Sequence, residues 1–525
     1  MRHRGLSIAL LTMITSMLLA ACGGGTTAAP TAAGTVADAT TAPAAQATTA
    51  PEATTMMEAT AAPEATAMME ATAAPEATAM MEATAATEAT AGTASGSTGP
   101  TDYSKISTEL ADAFAGKYKG TTVSLAHGLS GDEEVKFQAT FKDFQEKTGI
   151  TVKLVPAGNA PEAVSVKVTS GTIEDIVNFP QPGLMGSYAK QGKIIDLNTF
   201  IKQDWLKQNY KQGYIDTNTV ADASGKKILG GVFERINFKG AIWYPKKAFA
   251  DANYAIPKTW DDMKKLMDQI VADGDKPWCV GIESGGATGW PATDLTEQVM
   301  LRTTSLDNYD KWTTGDLKFT DPIVKNAVQT VSDIWFNDKY VLGGRAAISS
   351  TNFGDAPTPM FQNPPKCWMY DQGNFITTFF EKNVPGVKAG VDYDFFPLPA
   401  LDQQYGAPQE FAGDLFSMFN DRPEVRALMA YFTTYEAIQP WIKLGGGALS
   451  PHNNAVLADY TNDLDRSMAQ TIASAPNVRF DGSDLMPAEV GSGSFWKGMT
   501  DYVSGSADLD QALTTIQNGW TNVKK

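Results

Sequence analysis

Every aromatic residue of this 525-residue chain lies after position 100. The 11 Trp, 16 Tyr and 24 Phe therefore fall within 101–525, and the first hundred residues lack the aromatic side chains that contribute to a core. The remaining stretch of more than 400 residues exceeds what one hydrophobic core usually serves. The sequence therefore predicts a folded part with at least two lobes, preceded by a segment without a core.

The charge and the metal-binding residue types exclude several classes of function. The chain has a net charge of −17 and no basic stripe, which argues against a nucleic-acid partner. It has three Cys and three His, and His127 and His452 stand too far apart for zinc-type spacing. A Walker-type loop, an HExxH helix and a GxSxG elbow are missing from the sequence. We expect no metal and no cofactor.

Residues 1–21 have the features of an export signal. Arg2 and Arg4 precede an apolar run that ends in Leu19-Ala20-Ala21-Cys22. This tetrapeptide resembles the bacterial lipobox, which implies that Cys22 is lipidated; the alternative is an ordinary signal peptide with a chance Cys. We therefore expect an exported protein, held by lipid at the outer face of the bacterial cytoplasmic membrane and not spanning it.

Residues 22–100 consist mainly of Ala, Thr, Pro, Glu, Met and Gly. The unit MMEATAAPEATA begins at Met56 and at Met68, and MMEATAATEATA begins at Met80. These repeats lack the apolar residues that a stacked solenoid needs, and Pro interrupts helix formation. The composition predicts a disordered stalk between the membrane and the folded part.

The folded part has the pattern of an α/β protein. Strand patterns at 121–126, 151–155 and 175–179 alternate with helix patterns at 132–147 and 160–170, which predicts a parallel sheet. In the first of these helices, Val135, Ala139, Phe141 and Phe144 are expected to face inward. Helix-start signals predict further helices after Thr259, after Asp321, at Pro423 and at Asp508.

Ligands bind outside the carboxyl ends of strands in open parallel sheets, which singles out the loops 127–133 and 179–183. Ser130, Asp132 and Glu133 lie in the first loop, and Phe179 and Gln181 in the second. Simple helix capping by Ser130 or Asp132 is the alternative, and the helix macrodipole alone would favour Glu133.

Several longer stretches resemble one family in order and spacing. They include the stretches 240–249, 256–262, 369–375 and, most specifically, 484–487 (Asp-Leu-Met-Pro) followed by 494–497 (Ser-Phe-Trp-Lys) and 508–513. Residues 118–525 thereby resemble the extracellular solute-binding proteins of sugar ABC importers, the maltose-binding-protein-like group. The resemblance implies a monomeric, non-enzymatic lipoprotein that captures a carbohydrate, of oligosaccharide or α-glucoside type, and delivers it to membrane permeases.

The resemblance also implies a two-lobed, type II periplasmic-binding-protein-like fold that closes by a hinge over its cleft. Each lobe is expected to contain a mainly parallel sheet flanked by helices. The first lobe is expected to comprise 101–237 with 400–444, and the second 240–397 with 448–525. Chain crossings are expected near 236–240, 397–400 and 444–448.

Family positions carried onto this sequence give the expected ligand contacts. Aromatic faces suit the apolar faces of a sugar, and carboxylates and amides suit its hydroxyls. A polyamine or another non-sugar solute, a sensor without transport, and a glycoside hydrolase using acids such as Asp132 and Asp414 are the alternatives. The expected contacts are Ser130, Asp132, Glu133, Phe179, Gln181, Asn237, Lys239, Trp290, Gln372, Phe375, Gly413, Asp414 and Trp496.

Cys279 and Cys367 remain once Cys22 is assigned to lipidation. An exported protein matures where disulfides form, and both residues belong to the expected second lobe. We therefore expect a disulfide between them; two free buried thiols are the alternative.

Overall fold

The computed structural model describes residues 101–157, 161–475 and 477–523. The predicted signal peptide, its Cys22 and the repeats of 22–100 lie outside the described residues. Within the described ranges, none of the helices has both the length and the apolar character needed to cross a membrane.

The described part contains 11 named strands. In chain order they are β1 (Thr122–His127), β2 (Thr151–Pro156), β3 (Ile176–Phe179), β4 (Thr219–Ala221), β5 (Lys227–Leu229), β6 (Val232–Phe238), β7 (Ala241–Pro245), β8 (Tyr370–Gln372), β9 (Tyr393–Pro397), β10 (Gln409–Met418) and β11 (Val478–Phe480).

The α-helices, in chain order, are α1 (Thr108–Phe114), α2 (Asp132–Thr148), α3 (Pro161–Ser170), α4 (Pro182–Lys190), α5 (Gln203–Asn209), α6 (Gln212–Thr217), α7 (Lys246–Asp251), α8 (Trp260–Ala272), α9 (Trp290–Thr303), α10 (Leu306–Thr314), α11 (Pro322–Trp335), α12 (Arg345–Ile348), α13 (Ile376–Asn383), α14 (Pro423–Tyr431), α15 (Tyr435–Leu444), α16 (Asp463–Ser474), α17 (Gly482–Leu485), α18 (Trp496–Ser504) and α19 (Leu509–Gly519). A π-helical stretch, Glu489–Phe495, immediately precedes α18.

The predicted strands and helix starts are confirmed. For example, Thr259 and Asp262 form a reciprocal capping box at the start of α8. Their side chains accept hydrogen bonds from two backbone N–H groups that the helix itself leaves unpaired. One expectation for α2 was wrong. Val135 is 62% exposed, because the buried stripe of α2 runs through Glu133, Phe137, Phe141 and Phe144.

The larger sheet has six strands in the order β11-β10-β3-β1-β2, with β6 paired to β10. β1 pairs in parallel with β2 and with β3, as predicted. β10 pairs antiparallel with β3 and with β6, and in parallel with β11. β10 therefore links the parallel strands β1, β2 and β3 to β6 and β11, which come later in the chain.

The smaller sheet has the order β8-β7-β9, and both of its pairings are antiparallel. The expectation of a mainly parallel sheet in each lobe is therefore corrected for this sheet. Parallel pairing beside it is limited to isolated bridges, such as those of Trp278 with Val341 and with Met369.

The expected third crossing near 444–448 is also corrected. Leu449 pairs with Ile236, and β11 at Val478–Phe480 pairs with β10 of the larger sheet. Tyr460, Leu464 and Met468 are buried in the core that packs against this sheet. Residues 449–480 therefore belong with the first lobe, and the chain leaves it only after β11.

β7 separates the two hydrophobic cores. Side chains alternate along a strand, so Trp243 packs with the core of the larger sheet while Ile242 and Tyr244 pack with a second core built on α8, α9, α11, α18 and α19. Trp243 is fully buried, and its Nε1 donates a 2.8 Å hydrogen bond to the carbonyl of Gln372. One strand thus contributes to both cores.

The predicted disulfide joins Cys279 to Cys367, with Cα atoms 5.3 Å apart. The two segments already lie side by side, because the Cys279 N–H donates to the Met369 carbonyl (2.9 Å). Both cysteines are buried. The bridge therefore closes a long loop between neighbouring segments of the second lobe.

Replacing both cysteines by Ala should lower the free energy of unfolding by about 4 kcal/mol, because the bridge restricts a loop of roughly 90 residues in the unfolded chain. The measurement is urea unfolding in a chain carrying Cys22→Ser. Reduction of the parent chain should lower its stability to that of the variant. Two reactive thiols in the unfolded, unreduced parent would contradict the expectation.

Candidate functional site

A gap along β10 creates the main cavity of the described residues. β3 ends with Phe179 opposite Leu415, and β11 ends with Phe480 opposite Phe411. The carboxyl ends of the two strands therefore point toward each other and leave 412–414 of β10 unpaired on that edge. Polar residues that follow strand ends meet at such a switch point, where open α/β sheets bind ligands.

The cavity at this gap is open to solvent and has a volume of about 1180 Å³, which includes the space at its mouth. Its walls come from both lobes. The residues from the first lobe include His127, Ser130, Glu133, Asn178, Phe179, Gln181, Arg235, Asn237, Ala412 and Asp414. The residues from the second lobe and from the crossings include Lys239, Trp290, Asp294, Phe353, Phe375, Phe379, Asp481, Ser483, Asp484 and Trp496.

Aromatic side chains form one wall. The Trp290 ring lies 5.0 Å from that of Phe353 and 5.8 Å from that of Phe375, and Phe353 lies 5.1 Å from Phe379. The Lys239 Nζ atom is 5.0 Å from the Trp290 ring centroid. This wall offers an apolar surface with a cation at its edge.

Trp496 contributes a separate ring at the start of α18, directly after the π-helical stretch. It is buried, and its Nε1 has no hydrogen-bond partner among the described residues. Buried indole N–H groups usually find a partner, and π-helical turns are often found at functional sites. Trp496 therefore lines the cavity and carries an indole N–H that no described residue accepts.

Side-chain alternation along β6 brings two cations into the cavity. Arg235 and Asn237 on β6, with Lys239 directly after it, have the same orientation and line the cavity together. Arg235 lies opposite Asp414 in the strand register, where the pairing shifts at a bulge. Bulges re-aim side chains and are common next to active sites.

Arg235 holds two carboxylates of the first lobe. Its Nε donates to Asp414 (2.6 Å), its Nη1 donates to Glu133 (3.0 Å) and to the Gly447 carbonyl (3.1 Å), and the guanidinium lies 4.5 Å from the Trp441 ring centroid. Burial raises the pKa of Glu133 although Arg235 opposes the shift. The group is a fixed set of hydrogen-bonding atoms at one end of the cavity.

Lys239 lies among the buried acids Asp294, Glu297, Asp481 and Asp484, which together we call the floor of the cavity. Its Nζ lies 2.6 Å from Asp294 and 3.1 Å from Asp481. Although burial opposes it, these carboxylates raise the pKa of Lys239 well above its usual range. Asp294, Glu297 and Asp481 have carboxylate oxygens within 4.8 Å of one another, a spacing that suits a metal ion. The Lys239 ammonium already binds two of the three carboxylates.

The floor holds more acids than cations, so protons are retained there. Burial raises the pKa of Asp294 to about 8, and burial followed by the charge of Asp481 raises the pKa of Glu297 and of Asp484 well above the ordinary value. Although burial acts in the opposite direction, Lys239 lowers the pKa of Asp481. The floor therefore places the Asp481 carboxylate beside acids whose pKa values are raised.

Most of the predicted contact residues line this one cavity. They are Ser130, Glu133, Phe179, Gln181, Asn237, Lys239, Trp290, Phe375, Asp414 and Trp496.

Three predicted contacts do not line the cavity. The Asp132 carboxylate points away, is 44% exposed and lies 2.7 Å from Lys136 Nζ. The Gln372 side chain is buried, and its Oε1 accepts from the Gly373 N–H (2.8 Å). Gly413 faces the side of β10 opposite Asp414, where an added Cβ would lie 2.8 Å from the Phe233 ring. These three expectations are corrected.

Sequence reasoning missed Arg235, Asp294, Asp481 and Asp484. Period-two alternation from Asn237 and Lys239 would have identified Arg235, a charge inside an otherwise apolar strand. Helical spacing from Trp290 would have identified Asp294, four residues later on α9. Asp481 and Asp484 depend on pairing between distant segments, and no local pattern in the sequence identifies them.

Comparisons with known proteins add an independent finding. A family model described as bacterial extracellular solute-binding protein matches residues 130–439. The osmoprotective compounds-binding protein GgtB of Synechocystis sp. is 38% identical over 398 residues, which cover 76% of this chain and 92% of GgtB. The alpha-glucosides-binding periplasmic protein AglE of Rhizobium meliloti is 36% identical over 412 residues, covering 77% of this chain and 88% of AglE.

Among solved structures, the bacterial solute receptor AcbH, described as having an exclusive preference for β-D-galactopyranose, matches with a TM-score of 0.65 and 17% identity. The match covers 77% of this chain and 99% of AcbH. At this identity the likeness concerns the fold, and it confirms the predicted two-lobed, type II architecture.

Replacing Arg235 by Met should lower the free energy of unfolding by about 3–5 kcal/mol at pH 7, because Glu133 and Asp414 remain buried without their cation. The raised pKa of Glu133 lets it take up a proton as the pH falls, so the loss should be smaller near pH 5.

The matched control is Lys247→Met, which removes a cation that is 78% exposed and whose partner Asp251 is 65% exposed. Urea unfolding should show a change of only about 0.5 kcal/mol for this control. Equal losses in the two variants would show that the Arg235 cluster has no special structural role.

Proposed function

The chain belongs to the bacterial extracellular solute-binding protein family, and we propose that it captures a neutral carbohydrate for an ABC importer. The ligand class we propose is an α-glucoside or a small oligosaccharide. The observation that carries this proposal is the composition of the cavity, in which an aromatic wall faces fixed hydrogen-bonding groups.

The chemistry of a sugar matches this arrangement. Its C–H faces pack on aromatic rings such as Trp290 and Phe375, and its hydroxyls both donate and accept hydrogen bonds. Asp414 and Asp481 offer acceptors, while Arg235 and the Trp496 Nε1 offer donors. Ligand sites of this kind are mostly apolar with a few precisely placed polar groups.

The relatives support the same ligand class. AglE is named for binding alpha-glucosides, and GgtB for binding osmoprotective compounds. Both align with about three quarters of this chain. An α-glucoside is the more specific of the two chemistries and the one that the aromatic wall fits.

The cavity favours a sugar over the alternative ligands. A polyamine would have to compete for Glu133, Asp414, Asp294 and Asp481, which already pair with Arg235 and Lys239 inside the protein. A hydrolase pair of Asp132 and Asp414 is not formed, since Asp132 lies outside the cavity. Binding and release without bond cleavage therefore fit the site best.

We further propose that the protein is monomeric and anchored through lipid on Cys22, with 22–100 as a tether, and that it passes its ligand to permease subunits. Closure would rotate the lobes about the crossings after Phe238, after Pro397 and after Phe480. The aromatic wall and the Arg235 cluster lie on opposite lobes, so closure would bring them onto one ligand.

The test is isothermal titration calorimetry with a panel of α-glucosides, small oligosaccharides and galactose, with spermidine as the cationic alternative. A bound α-glucoside should also raise thermal stability, since ligand at 100 times its dissociation constant adds about 2.7 kcal/mol. Binding of spermidine but of no sugar would overturn the proposal. Release of nitrophenol from a nitrophenyl α-glucoside would show hydrolysis instead.

Replacing Trp496 by Phe should weaken sugar affinity about fivefold and leave unfolding nearly unchanged. The substitution keeps a ring but removes the Nε1 donor, whose hydrogen bond with the ligand is worth about 1 kcal/mol. No protein hydrogen bond is lost, because the Trp496 Nε1 has no partner among the described residues.

Trp312→Phe is the matched control, because Trp312 is fully buried in the second core and its Nε1 also has no described partner. This variant should lose about 1–3 kcal/mol of stability and keep its sugar affinity. The reverse pattern would show that Trp496 belongs to the core and not to the site.

A further inference from the structure

Asp484 differs from the other acids of the cavity floor. It lies on the short helix α17, lines the cavity and is buried. Its carboxyl group has no hydrogen bond or ion pair with any residue in the part of the chain that the structure describes. The other floor acids each have partners within the protein.

Those partners are specific. Lys239 binds Asp294 and Asp481 at 2.6 and 3.1 Å. The Glu297 carboxylate accepts from the backbone N–H groups of Gly482 and Ser483, at the start of α17. Glu410 accepts a 2.6 Å hydrogen bond from the Gln298 amide. Among the described residues, none donates a hydrogen bond to the Asp484 carboxyl group or lies within ion-pair distance of it.

The charges that act on Asp484 are mainly negative. Asp481 precedes it on the same segment, Asp294 lies on α9 and Asp414 on β10, whereas Lys239 is the cation that acts on it. The charges of α10 pair elsewhere, Asp310 with Arg479 of β11 at 2.6 Å and Lys311 with Asp307 at 2.6 Å. Arg302, near the end of α9, donates to the Leu398 carbonyl and to Gln298. The other charged residues on elements packed against α17 are Glu489 of the π-helical stretch and Lys190 at the far end of α4.

An ionised Asp484 would therefore be a buried carboxylate beside other carboxylates, without a hydrogen bond. Such a group retains its proton instead. Burial and then the charge of Asp481 raise its pKa well above the ordinary value, in agreement with the geometry. A neutral carboxyl group has one O–H donor, and Asp484 belongs to the lining of the cavity.

We propose that Asp484 is a further specificity-determining residue, which binds the ligand as a neutral carboxylic acid and donates a hydrogen bond to a carbohydrate oxygen. Binding is then linked to retention of this proton. The inference rests on the proposed function of the same cavity. It requires an acceptor oxygen on the ligand at this position, such as a hydroxyl, ring or glycosidic oxygen.

The pH dependence of binding distinguishes the ligand classes. A neutral sugar binds the protonated form, so its affinity falls as the pH rises through the pKa of Asp484, by up to about tenfold per pH unit. An ammonium ligand would bind the ionised form, and its affinity would rise over the same range. The sign of the slope therefore reports which ligand chemistry the floor recognises.

The experiment is calorimetry from about pH 6 to about pH 10 with the tightest-binding α-glucoside of the panel, using the full mature chain. Asp484→Asn keeps an N–H donor and should retain affinity near pH 7 but show a flatter slope at high pH. Asp484→Leu removes the donor and should weaken binding about tenfold at pH 7. Asp463→Asn, which changes an acid that is 95% exposed, should behave as the parent.

Thermal unfolding checks that each variant is folded. The parent should also show an infrared band from a protonated carboxyl group at Asp484, and this band should be missing in Asp484→Asn. Sugar binding in the parent with no pH dependence, or with the same slope in Asp484→Asn, would overturn the inference and leave the proposed function intact. Absence of sugar binding at every pH, with spermidine affinity rising with pH, would instead overturn the proposed function.

Discussion

The pairing of β10 determines both the architecture and the site. This strand forms hydrogen bonds with β3 and β6, which lie far before it in the chain, and with β11, which follows it. Because β3 and β11 end before they meet, 412–414 face an open edge instead of a neighbouring strand. Loops after both strands and side chains from β6 then surround the same space, and the cavity follows from the strand order.

Burial of charge at this space constrains its chemistry. β6 and the residue after it place Arg235 and Lys239 on one side, and each cation holds two carboxylates within 3.1 Å. Removing one partner from such a group costs more free energy of folding than the pair contributes, because the other charge is then buried without a partner. The side chains are therefore held in fixed positions. Preorganised donors and acceptors of this kind bind hydroxyls without further ordering of the protein.

The sequence identified much of the first-lobe site, because local rules apply there. The loops after β1 and β3 follow from strand–helix alternation, and Ser130, Glu133 and Gln181 line the cavity as expected. Neighbouring side chains on α2 point about 100° apart, so Glu133 enters the cavity while Asp132 faces Lys136. The acids of 481–484 depend on β11 returning to the larger sheet, and that long-range pairing has no local signal.

The crossing between the lobes and the cavity floor form one connected network. Lys239 precedes Gly240, where the chain has φ 71° and an added Cβ would lie 2.3 Å from the Gln298 Oε1 atom. Gln298 in turn donates to Glu410 of β10 and accepts from Arg302 of α9 (both 2.6 Å). A rotation of the lobes at this crossing would therefore displace Lys239 relative to Asp294 and Asp481. Ligand recognition and lobe geometry consequently depend on the same buried side chains, so a molecule that stabilises this arrangement of the floor also stabilises this arrangement of the lobes.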